Sequence, residues 1–333
     1  MKIGVIGDGG WGTALSLLLL SKGNQVTLWG AFPEYTEEMR RRRENFKFLP
    51  GVRLPNELSL VSDFRDVCKD AALLINAVPT QFVRSVFERF KPYYKEGTPI
   101  VSVSKGLEQN THKRCTEIIR DVLGDIPLAV LSGPSHAEEV ARKIPTAVSV
   151  ASQDKKLSEF VQDVFATDLF RPYTNSDPVG VELGGALKNV IALAAGMCDG
   201  LGFGDNTKSA LLSRGLAEMV RLGTKLGAQK ATFFGLSGIG DLITTSFSKH
   251  GRNREVGERI GRGEKLKEIL STMEKVAEGI WTSKSVVELS TQLLVEVPIS
   301  REVYKILFEG GSPREAVLSL MQRPLKSEFS DLS

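Results

Sequence analysis

Residues 2–14 constrain the fold more than any other stretch of this chain. Lys2-Ile-Gly-Val-Ile6 has the make-up of a buried strand. Gly7-Asp-Gly-Gly-Trp-Gly12-Thr-Ala then runs directly into the apolar helical pattern Gly12–Lys22. The result is a GxGxxG frame with a strand before it and a helix after it. Gly7 permits the tight turn, Gly9 lets the backbone approach a pyrophosphate, and Gly12 lets the helix lie close to the strand. The amides at the helix start and the helix dipole favour the diphosphate charge. A dinucleotide is therefore expected on Gly7, Gly9, Gly10, Trp11 and Gly12. Asp8 is out of keeping with that role, because its carboxylate has to point away from the phosphates. Trp11 reads equally well as a lid over the cofactor or as a packed aromatic.

The same alternation continues down the first half. Strand candidates are Lys2–Ile6, Gln25–Trp29, Ala72–Ala77, Ile100–Ser104, Leu128–Leu131, Thr146–Val150 and a weaker Leu169–Tyr173. Helical patterns such as Gln81–Phe90 and His112–Leu123 lie between them. Nearly all-apolar strands alternating with helices read as a parallel sheet buried on both faces. Past Pro178 long helical stretches take over: Val179–Met197, Thr207–Leu226, Val256–Gly261, Lys265–Leu270, Thr282–Leu294, Ser300–Phe308 and Pro313–Met321. Pro298 and Pro313 fall where helices start, and there a missing N–H costs little. The fold class is thus α/β: a Rossmann-type parallel sheet domain over 1–180, followed by an all-helical domain over 181–333. The 333 residues exceed what one core usually supports. No low-complexity linker separates the halves, so a close interface with a ligand-binding cleft is the natural expectation. Gly200-Leu-Gly-Phe-Gly204 follows a helix rather than a strand and reads as an interhelical loop.

Composition excludes several classes. A net charge of +3, spread along the chain, gives no reason to propose nucleic acid or an anionic membrane as partner, though it suits an anionic substrate. Cys68, Cys115 and Cys198 are far apart, as are His112, His136 and His250, so neither disulfides nor a metal site is expected. The apolar start is broken by glycines and resembles a signal peptide only superficially. Ala14–Leu20 is too short to span a bilayer. A cytoplasmic location without stable membrane insertion is the expectation.

The choice between NAD and NADP is normally read after the second strand, where an acid bonds the ribose 2′-hydroxyl or an arginine takes a 2′-phosphate. Here the chain runs Trp29-Gly-Ala-Phe-Pro-Glu34, with neither in place. Glu34 comes late, and Arg40–Arg43 read most simply as a solvated helix face. The balance leans weakly to NAD(H).

Further segments narrow the reading. They are Asn76-Ala-Val-Pro-Thr80, Val103-Ser-Lys-Gly-Leu-Glu108, Leu131-Ser-Gly-Pro-Ser-His-Ala-Glu-Glu139, Gly184-Gly-Ala-Leu-Lys-Asn189, Gly238-Ile-Gly-Asp-Leu242, Gly251-Arg-Asn253 and Val276-Ala-Glu-Gly279. In this order they resemble the bacterial-type NAD(P)-dependent glycerol-3-phosphate dehydrogenases over essentially the whole chain. The resemblance implies interconversion of dihydroxyacetone phosphate and sn-glycerol 3-phosphate for phospholipid synthesis, NAD or NADP as cofactor, and a homodimer.

It also implies roles for particular residues. Lys188 is the proton donor in reduction, although a lone lysine in an apolar helix would by default snorkel to the surface. Asp241 orients Lys188 or bonds a substrate hydroxyl; taken alone it reads as a helix N-cap. Lys105 contacts cofactor and substrate from the carboxyl end of a strand. Gly133 and Ser135 belong to the substrate loop and Ala137 to the cofactor site, with a structural turn at Gly133-Pro134 as the competing reading. Asn189 holds its helix or touches substrate. Arg252 and Asn253 grip the phosphate, since a guanidinium suits phosphate oxygens. Gly251, also placed in the substrate set, departs from the family's usual serine; the hydroxyl donor to phosphate is missing, and a backbone amide could replace it. Arg252, Val276 and Glu278 lie near the nicotinamide end of the cofactor; Glu278 alone would pass for a surface helix charge. Two alternatives remain: a related two-domain 3-hydroxyacid dehydrogenase, and a non-catalytic dinucleotide sensor.

Overall fold

The apolar runs form one eight-stranded sheet in a computed structural model that describes residues 1–273 and 276–328. In chain order the strands are β1 Lys2–Ile6, β2 Gln25–Trp29, β3 Ser59–Val61, β4 Leu73–Asn76, β5 Ile100–Ser102, β6 Leu128–Ser132, β7 Thr146–Ala151 and β8 Phe170–Asn175. Their spatial order is β3-β2-β1-β4-β5-β6-β7-β8. The order reverses between β1 and β4, and in such sheets the crevice at that switch point takes the ligand.

Side chains alternate strictly between the two faces. Ile3, Val5, Leu73, Ile75, Val101 and Ala129 enter one core, with Leu15 and Leu19 of helix α1 (Gly10–Ser21). Ile6, Leu74, Ile100 and Leu128 enter the other, with Val86, Phe87 and Phe90 of α4 (Val83–Phe90) and Ile118 and Ile119 of α5 (Cys115–Leu123). A sheet covered on both faces needs apolar residues at every position, which explains the unbroken apolar runs.

Two features depart from the sequence expectation. Strand β3 is three residues long with one fully buried side chain, too short to leave a periodic signal. The sheet is also not wholly parallel, because β6 and β7 pair antiparallel. Only the short α6 (Ala137–Ala141) lies between them, whereas β7 and β8 pair parallel and are joined by the longer α7 (Lys155–Phe165). A parallel return needs a full crossover, and the first connection lacks one.

The remaining helices of the sheet unit are α2 (Pro33–Arg42) and α3 (Phe64–Cys68). The unit comprises Met1–Lys105 and Arg114–Pro178. A second unit takes Gly106–Lys113 and the chain from Val179 onward, so a short stretch leaves the sheet unit long before the helices begin.

From Val179 onward the described residues of the second unit form helices joined by loops, while Gly106–Lys113 adds a non-helical stretch. Its helices are α8 Pro178–Gly200, α9 Asp205–Lys225, α10 Asp241–Phe247, α11 Arg252–Gly261, α12 Leu266–Thr272, α13 Glu278–Gln292, α14 Pro298–Phe308 and α15 Pro313–Met321. Prolines do open α14 and α15. The Gly202 loop joins α8 to α9. Among the described residues α8 alone is long and apolar enough to cross a membrane, and it is buried at the centre of this unit.

Glycine sets how close its neighbours come. A Cβ on Gly257 or Gly261 of α11 would run into the backbone of Leu193 or Met197 on α8, and one on Gly196 or Gly200 into α11. Backbone contact at this range excludes any side chain. Glu218 of α9 secures α14 by accepting from the Ser300 amide at 3.1 Å and hydroxyl at 3.0 Å, and from the Ile299 amide. Burial pushes its carboxyl up to about 7, against the pull of those donors.

Candidate active site

The glycine loop of the sheet unit has the geometry of a dinucleotide cradle. Gly7 has φ +115° and lies against the Ala77–Val78 backbone, so only glycine fits. A Cβ on Gly12 would strike the Gly7 carbonyl, which makes that glycine the contact between helix and strand. At Gly9 a Cβ would meet nothing within 4 Å. Gly7 and Gly12 are therefore demanded by the protein itself, whereas Gly9 opens onto free space at the N-cap of α1. These residues fit a pyrophosphate, with the α1 amides beside it.

Asn45 holds the loop from behind. Its side-chain amide donates to the Asp8 carbonyl and the Thr13 hydroxyl, both at 2.7 Å, and its oxygen accepts from the Tyr35 hydroxyl at 2.6 Å. Asn45 is fully buried. Nothing in the run Arg43-Glu-Asn-Phe-Lys singles it out, since its partners are distant in sequence. Trp11 packs against the β1 core, and its Nε1 has no hydrogen-bond partner among the described residues.

The loops at the carboxyl ends of β4, β5 and β6 meet beside this cradle. Asn76 donates to the Ser102 and Ser104 hydroxyls at 3.2 and 3.3 Å, tying the Asn-Ala-Val-Pro and Val-Ser-Lys segments together. The Lys105 ammonium donates to the Gly133 carbonyl at 2.9 Å, and the Ser135 hydroxyl donates to the same oxygen at 2.9 Å. Gly133 has φ +145°, and a Cβ there would lie 2.9 Å from the Val148 backbone. Ala137 opens α6, 3.6 Å from where a Gly10 Cβ would lie. The sheet unit thus brings together Lys105, Gly133, Ser135, Ala137 and the glycine loop.

In the helical unit the glycine motifs explain one another. A Cβ on Gly184 would lie 2.6 Å from the Ser237 carbonyl, so α8 presses against the turn Leu236–Gly240. One helical turn further along each segment stand Lys188 and Asp241. The Lys188 ammonium lies 3.0 Å from the Asp241 carboxylate, with side-chain exposures of 7% and 3%. It also donates to the Thr245 hydroxyl, which in turn donates to Asp241 at 3.2 Å. Lys188 does not snorkel, since a buried counter-charge holds it inside. Thr245 escaped the sequence reading. Its only cue is the i,i+4 spacing from Asp241 on α10.

A second node lies along α8. Asn253 donates to the Asn189 side-chain oxygen at 2.8 Å and accepts from the Gly279 amide at 2.9 Å, linking α8, α11 and the start of α13. A Gly279 Cβ would lie 2.6 Å from the Asn189 carbonyl and 2.8 Å from Asn253 Oδ1, which explains the glycine of Val-Ala-Glu-Gly279. Arg252 donates to the Val276 carbonyl at 3.1 Å, and Glu278 stands in the first turn of α13, where a negative charge suits the dipole. The Gly251 amide already donates to the Ser248 carbonyl at 3.1 Å. Gly251 is the N-cap of α11, whose first amides the helix does not itself satisfy.

A doubly wound sheet with a glycine cradle, and a helical unit carrying a buried lysine–aspartate pair, define a nicotinamide-dinucleotide dehydrogenase of the two-unit type. The family profile of the NAD-dependent glycerol-3-phosphate dehydrogenase N-terminus matches residues 2–158, and that of its C-terminus matches residues 177–318. The chain belongs to this family. It is 49% identical over 331 residues to glycerol-3-phosphate dehydrogenase [NAD(P)+] of Chlorobium phaeobacteroides, covering 98% of this chain and 99% of that one. It is 48% identical over 335 residues to the protein of that name from Geobacillus kaustophilus, covering 100% and 97%. Among solved structures, the glycerol-3-phosphate dehydrogenase of Coxiella burnetii superposes with a TM-score of 0.93 at 36% identity, over 97% of this chain and 99% of that one.

Proposed function

We propose that this chain reversibly reduces dihydroxyacetone phosphate to sn-glycerol 3-phosphate with NADH or NADPH, supplying glycerophospholipid synthesis, with Lys188 as the group that moves the proton. The observation that carries the proposal is the buried Lys188–Asp241–Thr245 triangle within family motifs. When bound, the dihydronicotinamide supplies the hydride to the carbonyl carbon. Lys188 gives a proton to the carbonyl oxygen in reduction and takes it back in oxidation. Asp241 and Thr245 hold the ammonium in one orientation, and their burial keeps water from competing for that proton.

Arg252 and the first amides of α11 receive the phosphate, with Asn253 beside them. Lys105, fixed on the Gly133 carbonyl beside Ser135, contacts cofactor and substrate; Asn189 completes the substrate set. The glycine loop with Ala137 holds the cofactor, and Arg252, Val276 and Glu278 lie toward its nicotinamide. A cytoplasmic homodimer without membrane insertion is the setting we propose, from the family's habit and the low net charge.

The test follows NADH and NADPH oxidation with dihydroxyacetone phosphate and with phosphate-free ketones. Turnover confined to the phosphorylated ketone and abolished in Lys188→Ala, with cofactor affinity retained, is the expected result. Undiminished turnover of Lys188→Ala rules out the proton-transfer role.

A further inference from the structure

The acid missing after β2 is supplied from another place in the fold. Gly30 follows β2 directly, at the position where an acidic side chain normally meets the adenosine ribose. A Cβ built on Gly30 would run into Asp8 Oδ2 and lie 2.7 Å from Thr36 Oγ1. Asp8, from the β1–α1 loop, thus fills the space that a side chain at residue 30 would occupy.

Asp8 is 8% exposed, and its Oδ2 has no hydrogen-bond partner among the described residues. Burial pushes its carboxyl up to about 6, against the pull of a hydrogen bond from its own backbone amide. A buried carboxylate with one oxygen unsatisfied weakens a fold and marks a place where a ligand donor can serve.

Of the four arginines that follow β2, Arg40, Arg42 and Arg43 are engaged elsewhere, while Arg41 is exposed on α2. Arg40 donates to the Leu60 carbonyl at 2.7 Å and pairs with Glu37; Arg42 pairs with Glu38. Arg43 donates to the Asn56 and Leu58 carbonyls at 2.7 and 3.2 Å.

We propose that Asp8 sets the cofactor preference, accepting the adenosine ribose 2′-hydroxyl of NAD(H) and disfavouring the 2′-phosphate of NADP(H). This rests on the dinucleotide reading of the glycine loop. The hydroxyl donates to the carboxylate, whereas a phosphate at the same place sets two like charges together in a poorly solvated corner. The residue acts on binding of the adenosine half and not on the chemical step.

The test uses competition of ADP-ribose and 2′-phospho-ADP-ribose against bound NADH, read by nicotinamide fluorescence, with wild type, Asp8→Ala and Asp8→Asn. Wild type is expected to favour ADP-ribose, and both variants to shrink that preference at least tenfold. A structural role alone would weaken both ligands equally, so an unchanged ratio overturns the proposal. So does a wild type that binds 2′-phospho-ADP-ribose as well or better. If one variant fails to fold, the other reads the same ratio. A wild type that binds neither ligand, nor NADH, refutes the dinucleotide reading instead.

Discussion

Lys188 and Asp241 form a pair whose members need each other more than the fold needs the pair. At 3.0 Å and an effective dielectric of about 20, their attraction is about 5 kcal/mol. Taking two ions out of water costs several kcal/mol each, so the pair as a whole contributes little net stability. Removing one partner is different, because the other ion then keeps its desolvation cost without its counter-charge. With side chains 7% and 3% exposed, each single substitution, Lys188→Met or Asp241→Asn, should cost about 3–5 kcal/mol. The double variant keeps the volume, leaves no buried charge, and should cost only about 1–2 kcal/mol. Urea unfolding followed by far-ultraviolet circular dichroism gives the four corners of the cycle, with a coupling of at least about 3 kcal/mol expected. Additivity within about 0.5 kcal/mol would mean the two ions are solvated independently, and the buried-pair argument would fall.

Other consequences can be checked separately. Asp8 has a folded pKa near 6 against an ordinary 3.8, so the folded protein holds an extra proton between those values. Stability therefore falls as pH rises from about 4 to about 6. Asp8→Asn should gain up to about 3 kcal/mol at pH 8 and nothing near pH 3, whereas a pH-independent gain would refute the assignment. Gly9→Ala, facing open space, should melt within about 1 kcal/mol of wild type yet lose NADH affinity. Gly12→Ala should lose stability as well, and equal melting of the two would contradict the cradle geometry. Asn253→Ala removes the acceptor of the buried Gly279 amide and the donor to Asn189. A stability loss of about 2–4 kcal/mol is expected; a raised substrate KM without destabilisation would show that Asn253 serves only as a phosphate ligand.

Local pattern carried much of this protein. An all-apolar strand running into Gly7–Gly12 has few physical outcomes, and long apolar periodicity past Pro178 has hardly more, because both follow from neighbours in the chain. The glycines of the later motifs were legible as signals but not as reasons. Only the fold shows that Gly184 meets Ser237, or that Gly279 fits between Asn189 and Asn253. Strand β3 and the antiparallel β6–β7 pairing were missed for the same cause. One is too short to have a period, and the other depends on how a connection packs rather than on strand composition.

By itself, then, the sequence determined the order of elements, the glycine cradle and the chemical inventory of the site. Tertiary structure decided which partners those groups have. Lys188 finds its counter-charge 53 positions away in numbering, on another helix. Thr245 joins them, and Asp8 turns into the space left by Gly30. Burial and charge pairing depend on contacts between distant segments, and no local pattern of residues records those contacts.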